Sequence, residues 1–138
     1  MSKLVRTSIA LEKPLADRLE RLVRESGYAN RSKFLSDLLR EKLVDREWER
    51  NATVVGTVTL VYDHHRRQLS ERLTDLQHDH HKVILASTHV HLDAHICAEV
   101  IIARGPAHVI KHIADELRRQ KGVLHAALSL STTGKALE

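Results

Sequence analysis

Hydrophobic and polar positions change period several times along the chain, and each change marks an element. Residues 4–11, Leu-Val-Arg-Thr-Ser-Ile-Ala-Leu, alternate, with Thr7, Ile9 and Leu11 on one face and Arg6, Ser8 and Ala10 on the other, which predicts a short strand. Pro14 suits the first turn of a helix over about 14–26, in which Leu15, Leu19, Leu22 and Val23 recur at helical spacing. Gly27 is placed to end that helix in the left-handed conformation. Asn30 or Ser32 can cap a second helix that runs to about residue 48 with Phe34, Leu35, Leu38, Leu39 and Leu43 as its apolar stripe.

One strand and two helices in 50 residues leave the strand without a ladder partner in its own segment. The segment is therefore expected to fold as an intertwined dimer: two copies of the strand pair as an antiparallel ribbon and the helices of both chains cover its apolar side. This is a ribbon-helix-helix reading. Glu49-Arg50-Asn51-Ala52 has no apolar periodicity and marks a boundary, with one domain expected over 1–50 and a second over 53–138. The second domain reads as strand 54–62, helix 63–80, strand 83–91, a tight loop at 92–95, strand 96–104, a helix begun by Gly105-Pro106 and stopped by Gly122, and strand 123–131. The order βαββαβ is the split ferredoxin-like plan of small ACT-type domains, which oligomerise through their sheets. The fold class expected is α+β.

Composition narrows the function. No apolar run approaches the roughly 20 residues that cross a bilayer, and the first residues lack the apolar core of a secretory signal, so a cytoplasmic protein with no membrane partner is expected. A formal charge of +4 permits nucleic acid as a partner, and the first 50 residues carry 12 bases against 9 acids. Aromatic residues make up 3% of the chain, too few for a platform that stacks single-stranded bases. Histidine is over-used: seven of the 11 lie between His64 and His91, and Cys97 is the one cysteine. That clustering points to a metal.

His89 and His91 are two apart on a strand, so both imidazoles leave one face, and Cys97 opens the next strand after the tight loop. If His91 lies opposite Cys97, His89 lies opposite Glu99 and the four share a face of the hairpin. Two imidazoles and a thiolate supply three ligands; His78, His80 or His81 could supply a fourth. Structural zinc sites carry two or more cysteines in close spacing, whereas imidazoles with one thiolate suit Ni(II) or Cu(II). His64 and His65 read as solvated residues at a helix start, and His108, His112 and His125 as surface residues, His108 and His112 lacking the acid of an HExxH motif.

Taken in order, Gly27-Tyr28-Ala29-Asn30-Arg31-Ser32, Val61-Tyr62-Asp63-His64, Gln77-His78, His89-Val90-His91 and Cys97-Ala98-Glu99 resemble the NikR family of nickel-responsive repressors over nearly the whole chain. The resemblance implies one Ni(II) per subunit in a square-planar set of His89, His91 and Cys97 from one subunit and His78 from a neighbour, with Glu99 and Tyr62 in the surroundings of the metal. It further implies that Arg6, Ser8 and Ala10 enter the DNA major groove, Ala10 standing where the family has a hydroxyl residue. Asn30, Arg31 and Ser32 would hold phosphate, and the operator would be an inverted repeat bound by a homotetramer built as a dimer of dimers. A second cation could involve His64 or Asp37, although Lys33 replaces the acid that accompanies Asp37 in the family. Other readings of the same residues are a ribbon-helix-helix regulator or antitoxin-like DNA binder answering to another metal, a small molecule or a protein, a metalloenzyme, and a metal store. An enzyme is disfavoured because four protein ligands leave no open position and no dedicated base.

Overall fold

The computed structural model describes residues 3–137, so Glu138, the last residue of the expected second domain, lies outside it. Among the described residues, one compact unit comprises residues 3–43 together with Ala136 and Leu137, and a second covers Val44–Lys135. The first holds α1 (Lys13–Glu25) and the start of α2 (Arg31–Glu49). Pro14 lies in the first turn of α1, where its missing N–H costs no helical bond, and Gly27 follows it at φ +72°. Asn30 caps α2, its Oδ1 accepting the Lys33 N–H at 2.9 Å. Residues 3–12 form no ladder in the single chain, where alternation predicts a strand over 4–11. A strand is held by a neighbour's backbone, and the rest of this unit is helix and turn. Leu4, Val5 and Ile9 stay 96%, 77% and 63% exposed.

The second unit contains β1 (Thr53–Asp63), α3 (Leu69–Asp79), β2 (Ile84–His91), β3 (Ile96–Pro106), α4 (Ala107–Arg119) and β4 (Val123–Leu130). The strands form one antiparallel sheet in the order β2-β3-β1-β4, the expected βαββαβ plan. Strand alternation decides what is buried. Val58, Leu60 and Tyr62 of β1 and Cys97, Glu99 and Ile101 of β3 point to the covered face. There α3 and α4 add Leu69, Leu73, Ile113 and Leu117 to the core, each burial contributing about 1.5–3 kcal/mol. Val44 and Trp48, at the end of α2, pack with Val54, Ala107 and Ile110, so this unit begins inside α2. Gly56 leaves room for Trp48, whose Cη2 is 2.9 Å from where a Cβ would stand. The opposite sheet face is open: Val90, Val100 and Ile102 are 50%, 37% and 37% exposed.

Candidate metal centre

Register builds the centre. In the β2–β3 ladder His91 pairs with Cys97 and His89 with Glu99, the pairing that the two-residue spacing anticipates. On the other side of β3, Tyr62 of β1 pairs with Cys97 and Leu60 with Glu99. Cys97 therefore sits between a histidine strand and the end of β1. Its Sγ lies 3.2 Å from His91 Nδ1 and 3.0 Å from His64 Nδ1. His89 stands beside His91, ring centroids 5.2 Å apart, and 6.0 Å from the Tyr62 ring. Among the described residues, His64, His91 and Cys97 are the one group of three donors close enough to share an ion, their ligand atoms all within 4.8 Å.

His64 differs from its sequence reading. The expected helix start at residue 63 is displaced: β1 continues through Asp63, whose Oδ1 accepts the His65 N–H at 2.9 Å, and Gln68 at φ +62° precedes a helix that begins only at Leu69. The His64 N–H donates to the His95 carbonyl at 3.0 Å. Strand-like spacing then turns His64 to the side of Tyr62, toward Cys97, rather than to solvent at a helix dipole.

Glu99 is buried and its carboxylate is bound at both oxygens, by the Tyr62 hydroxyl at 3.2 Å and the Gln77 amide at 3.1 Å. Gln77 is a contributor that spacing does not reveal, because it reaches Glu99 from α3 across the sheet face. Burial, followed by the charge of Glu99, pushes the Tyr62 phenol far up, so it remains a donor. Burial also pushes the Cys97 thiol up, with Asp63, Asp93 and Glu99 adding to the rise. The His64 imidazole is pushed down, first by burial and then by its neighbours His65 and His91. At neutral pH the cluster is thus a thiol facing a neutral His64 ring. A lone thiolate with imidazoles is a donor set for borderline and soft divalent metals.

His78 stands apart from this cluster within the chain. It is exposed in the last turn of α3 and borders a shallow groove of about 180 Å³ with Gln77, His81 and Ile84. His80 and His112 both reach Glu116, at 3.1 and 2.6 Å. Asp37 is already occupied: Lys33 Nζ at 2.6 Å, Arg40 at 3.1 Å and the Tyr28 hydroxyl at 3.0 Å surround its carboxylate. Lys33 foremost holds the Asp37 carboxyl below the usual range. The Lys33 ammonium thus stands at Asp37, one of the two residues where a second cation was anticipated, and the other, His64, lies against Cys97. Arg6, Ser8 and Ala10 are exposed in the unpaired segment, and Asn30, Arg31 and Ser32 are exposed at the start of α2, Arg31 pairing with Glu20 at 3.1 Å.

A helical N-terminal unit with an exposed polar-apolar segment is followed by a βαββαβ sheet that gathers imidazoles around one cysteine, the donor set of a metal-binding domain. The comparisons agree. The family model described as ribbon-helix-helix protein, copG family, matches residues 5–46, and that described as NikR C terminal nickel binding domain matches residues 55–131. The chain is 49% identical over 138 residues to a protein of Geobacter metallireducens and 47% identical to one of Geobacter sulfurreducens, both named as nickel-responsive regulators, with 99% of each chain covered. A solved structure of an uncharacterized protein from Thermotoga maritima shares the fold of part of the chain, at TM-score 0.51 and 14% identity over 56% of this chain and 96% of its own. The chain belongs to the NikR family of nickel-responsive regulators. It is a regulator family, not a family of enzymes. Among the described residues no helix is long and apolar enough to cross a membrane.

Proposed function

We propose that the chain is a cytoplasmic transcriptional repressor that binds an inverted-repeat operator when Ni(II), one per subunit, is held by His89, His91 and Cys97 of one subunit and His78 of a neighbour. The observation that carries this reading is the ladder pair His91 with Cys97, which sets a thiol 3.2 Å from an imidazole with His89 alongside. When bound, nickel supplies a cross-link between subunits; the protein's part is to hold the donors. Tyr62 and Gln77 support this from behind by fixing Glu99, opposite His89 in the ladder. Such supporting hydrogen bonds hold a site in register.

Residues 1–50 serve as the DNA-binding domain and residues 53–138 as the metal-binding and tetramer-forming one. The exposed segment 3–12 pairs with its copy as a ribbon in the major groove, where Arg6 contacts guanine, Ser8 bonds a base edge and Ala10 adds an apolar contact. An open groove of about 600 Å³ lined by Thr7, Ile9, Leu11, Leu19 and Leu35 is consistent with a second chain closing over it. Asn30, Arg31 and Ser32 present the start of α2 to phosphate. The half-exposed Val90, Val100 and Ile102 support association of sheets into a dimer of dimers. Metal and DNA then communicate through assembly, since an ion that favours one arrangement shifts the population toward it.

Subunit mixing tests the shared ligand set. His78→Ala and His89→Ala proteins each lose nickel, and exchanging their subunits restores a fraction of sites in which an intact His78 meets an intact triad. Absence of restored binding in demonstrably mixed tetramers contradicts the assignment of His78.

A further inference from the structure

The segment Glu49-Arg50-Asn51-Ala52, which lacks apolar periodicity, is not a free linker. α2 ends there in a closed turn: the Ala52 N–H donates to the Glu47 carbonyl at 2.9 Å and the Asn51 N–H to the Trp48 carbonyl at 3.3 Å, with Asn51 at φ +57°. This pairing stops a helix on a left-handed residue, a place that asparagine can fill. Asn51 and Ala52 then bind α4. Asn51 Oδ1 accepts the His108 N–H at 2.8 Å, and the Ala52 carbonyl accepts the Ala107 N–H at 3.0 Å. These are the first two amides of α4, which have no partner inside their own helix.

Trp48, in the last turn of α2, is a second fastening. It is buried, its Nε1–H donates to the Ser131 carbonyl at 2.8 Å, and the Ser131 N–H in turn donates to the Val55 carbonyl at 2.9 Å. The ring packs with Val54, Ala103 and Ile110, and the Lys111 ammonium stands 5.9 Å from its centre. Val54 and Ala103 lie on β1 and β3, the strands that also carry Tyr62 and Cys97. Those two strands pair without a break from Thr53 opposite Pro106 to Asp63 opposite Ile96. The end of α2 is thus seated at one end of the strand pair whose other end builds the metal centre.

We propose that Trp48 and Asn51 are positioning residues for nickel control: they weld α2 to the metal-binding unit, so that this helix, which begins in the first unit, carries the state of the metal centre to the DNA-binding segment. Neither residue belongs to the proposed nickel set or to the proposed DNA contacts. Coupling between separate sites travels through packed side chains and rigid elements, and a continuous helix fixed at its end lacks the slack of a flexible tether. This role rests on the repressor reading, which requires that nickel and DNA communicate.

Conservative variants of the full-length protein test the weld. Trp48→Phe keeps an apolar ring and loses the bond to Ser131. Asn51→Gly keeps the left-handed turn and loses the oxygen that caps α4, whereas Asn51→Asp keeps an acceptor there. DNA affinity is measured by fluorescence anisotropy with and without nickel, on a sequence selected by the nickel-loaded parent, beside the sulfur-to-nickel charge-transfer band. Trp48→Phe and Asn51→Gly should each bind nickel within about twofold of the parent, keep the band and bind DNA without nickel as the parent does. Nickel's enhancement of DNA affinity should fall about threefold or more in each, and stay within about twofold of the parent in Asn51→Asp. Full enhancement in either of the first two variants overturns the role of that residue. A loss of nickel affinity that matches the loss of DNA affinity also overturns it, by reducing the residue to a support of the metal-binding unit. A parent protein whose DNA affinity ignores nickel instead overturns the repressor reading, and the role of the weld with it.

Discussion

Cys97 Sγ lies 3.0 Å from His64 Nδ1, although 33 residues separate the two in sequence. The contact follows from two facts of the sheet: Cys97 pairs with Tyr62, and His64 stands two residues beyond Tyr62 on the same side. Cys97 consequently keeps its thiol in a hydrogen-bonded nest rather than exposed. Any ion that enters must displace that arrangement.

The protonation states give the exchange a pH dependence with a definite sign. Cys97 is pushed above the ordinary thiol range, so at neutral pH it is protonated, whereas the depressed His64 is already neutral. Metal binding must therefore release the thiol proton. Nickel affinity should weaken by about tenfold for each pH unit lowered, and about one proton per nickel should appear from Cys97 in a pH-stat titration near pH 7.5. Cys97→Ser should remove the sulfur charge-transfer band. Nickel binding without proton release would mean that sulfur stays out of the site.

Tyr62 and Glu99 form a buried pair behind the histidines, the hydroxyl donating to the carboxylate at 3.2 Å. Tyr62→Phe keeps the ring and leaves Glu99 to Gln77 alone. The expected cost is about 1–3 kcal/mol of unfolding free energy, read by urea denaturation of the metal-free protein. Nickel affinity should fall as well, since Glu99 stands opposite His89. No change in either quantity would show that the hydrogen bond contributes nothing to the site.

Arg6 is exposed in the N-terminal segment, where alternation of the sequence sets it apart from Ile9 and Leu11. Arg6→Ala should cost about 1–3 kcal/mol on specific DNA and far less on random DNA, measured by fluorescence anisotropy at fixed salt. Equal losses on both DNAs would reduce Arg6 to a phosphate contact. His112→Ala, which touches Glu116 rather than the cluster, should alter neither DNA nor nickel binding.

Much of this architecture is legible in the residues because burial has a period. Leu15, Leu19 and Leu22 at helical spacing, and the alternating strands read as ending in Tyr62 and beginning at Ile96, announce their elements, and the spacing His89-x-His91 gives the hairpin register. The strand over 4–11 is legible as a pattern yet forms no ladder in one chain, since alternation describes a face and pairing needs a second backbone. The place of His64 is hidden in the sequence for a different reason. Asp63-His64-His65 suits a helix start locally, but the ladder to β3 extends β1 through Asp63 and only the sheet order brings His64 to Cys97. Gln77 is invisible for the same reason: its partner Glu99 is 22 residues away on another element. Lys33 and Asp37, four apart on α2, show the reverse case, a local spacing that foretells its own ion pair.

In the proposed function, nickel on the Cys97 cluster controls DNA binding by the N-terminal domain. DNA selected from a random pool by the nickel-loaded protein, then titrated with and without nickel at constant salt, tests it directly. The expected result is an inverted-repeat sequence, affinity raised about 5–150-fold by nickel, the usual range of coupling between two sites, and no nickel effect in Cys97→Ser. Equal affinity with and without nickel, or a nickel effect that survives Cys97→Ser, would contradict it.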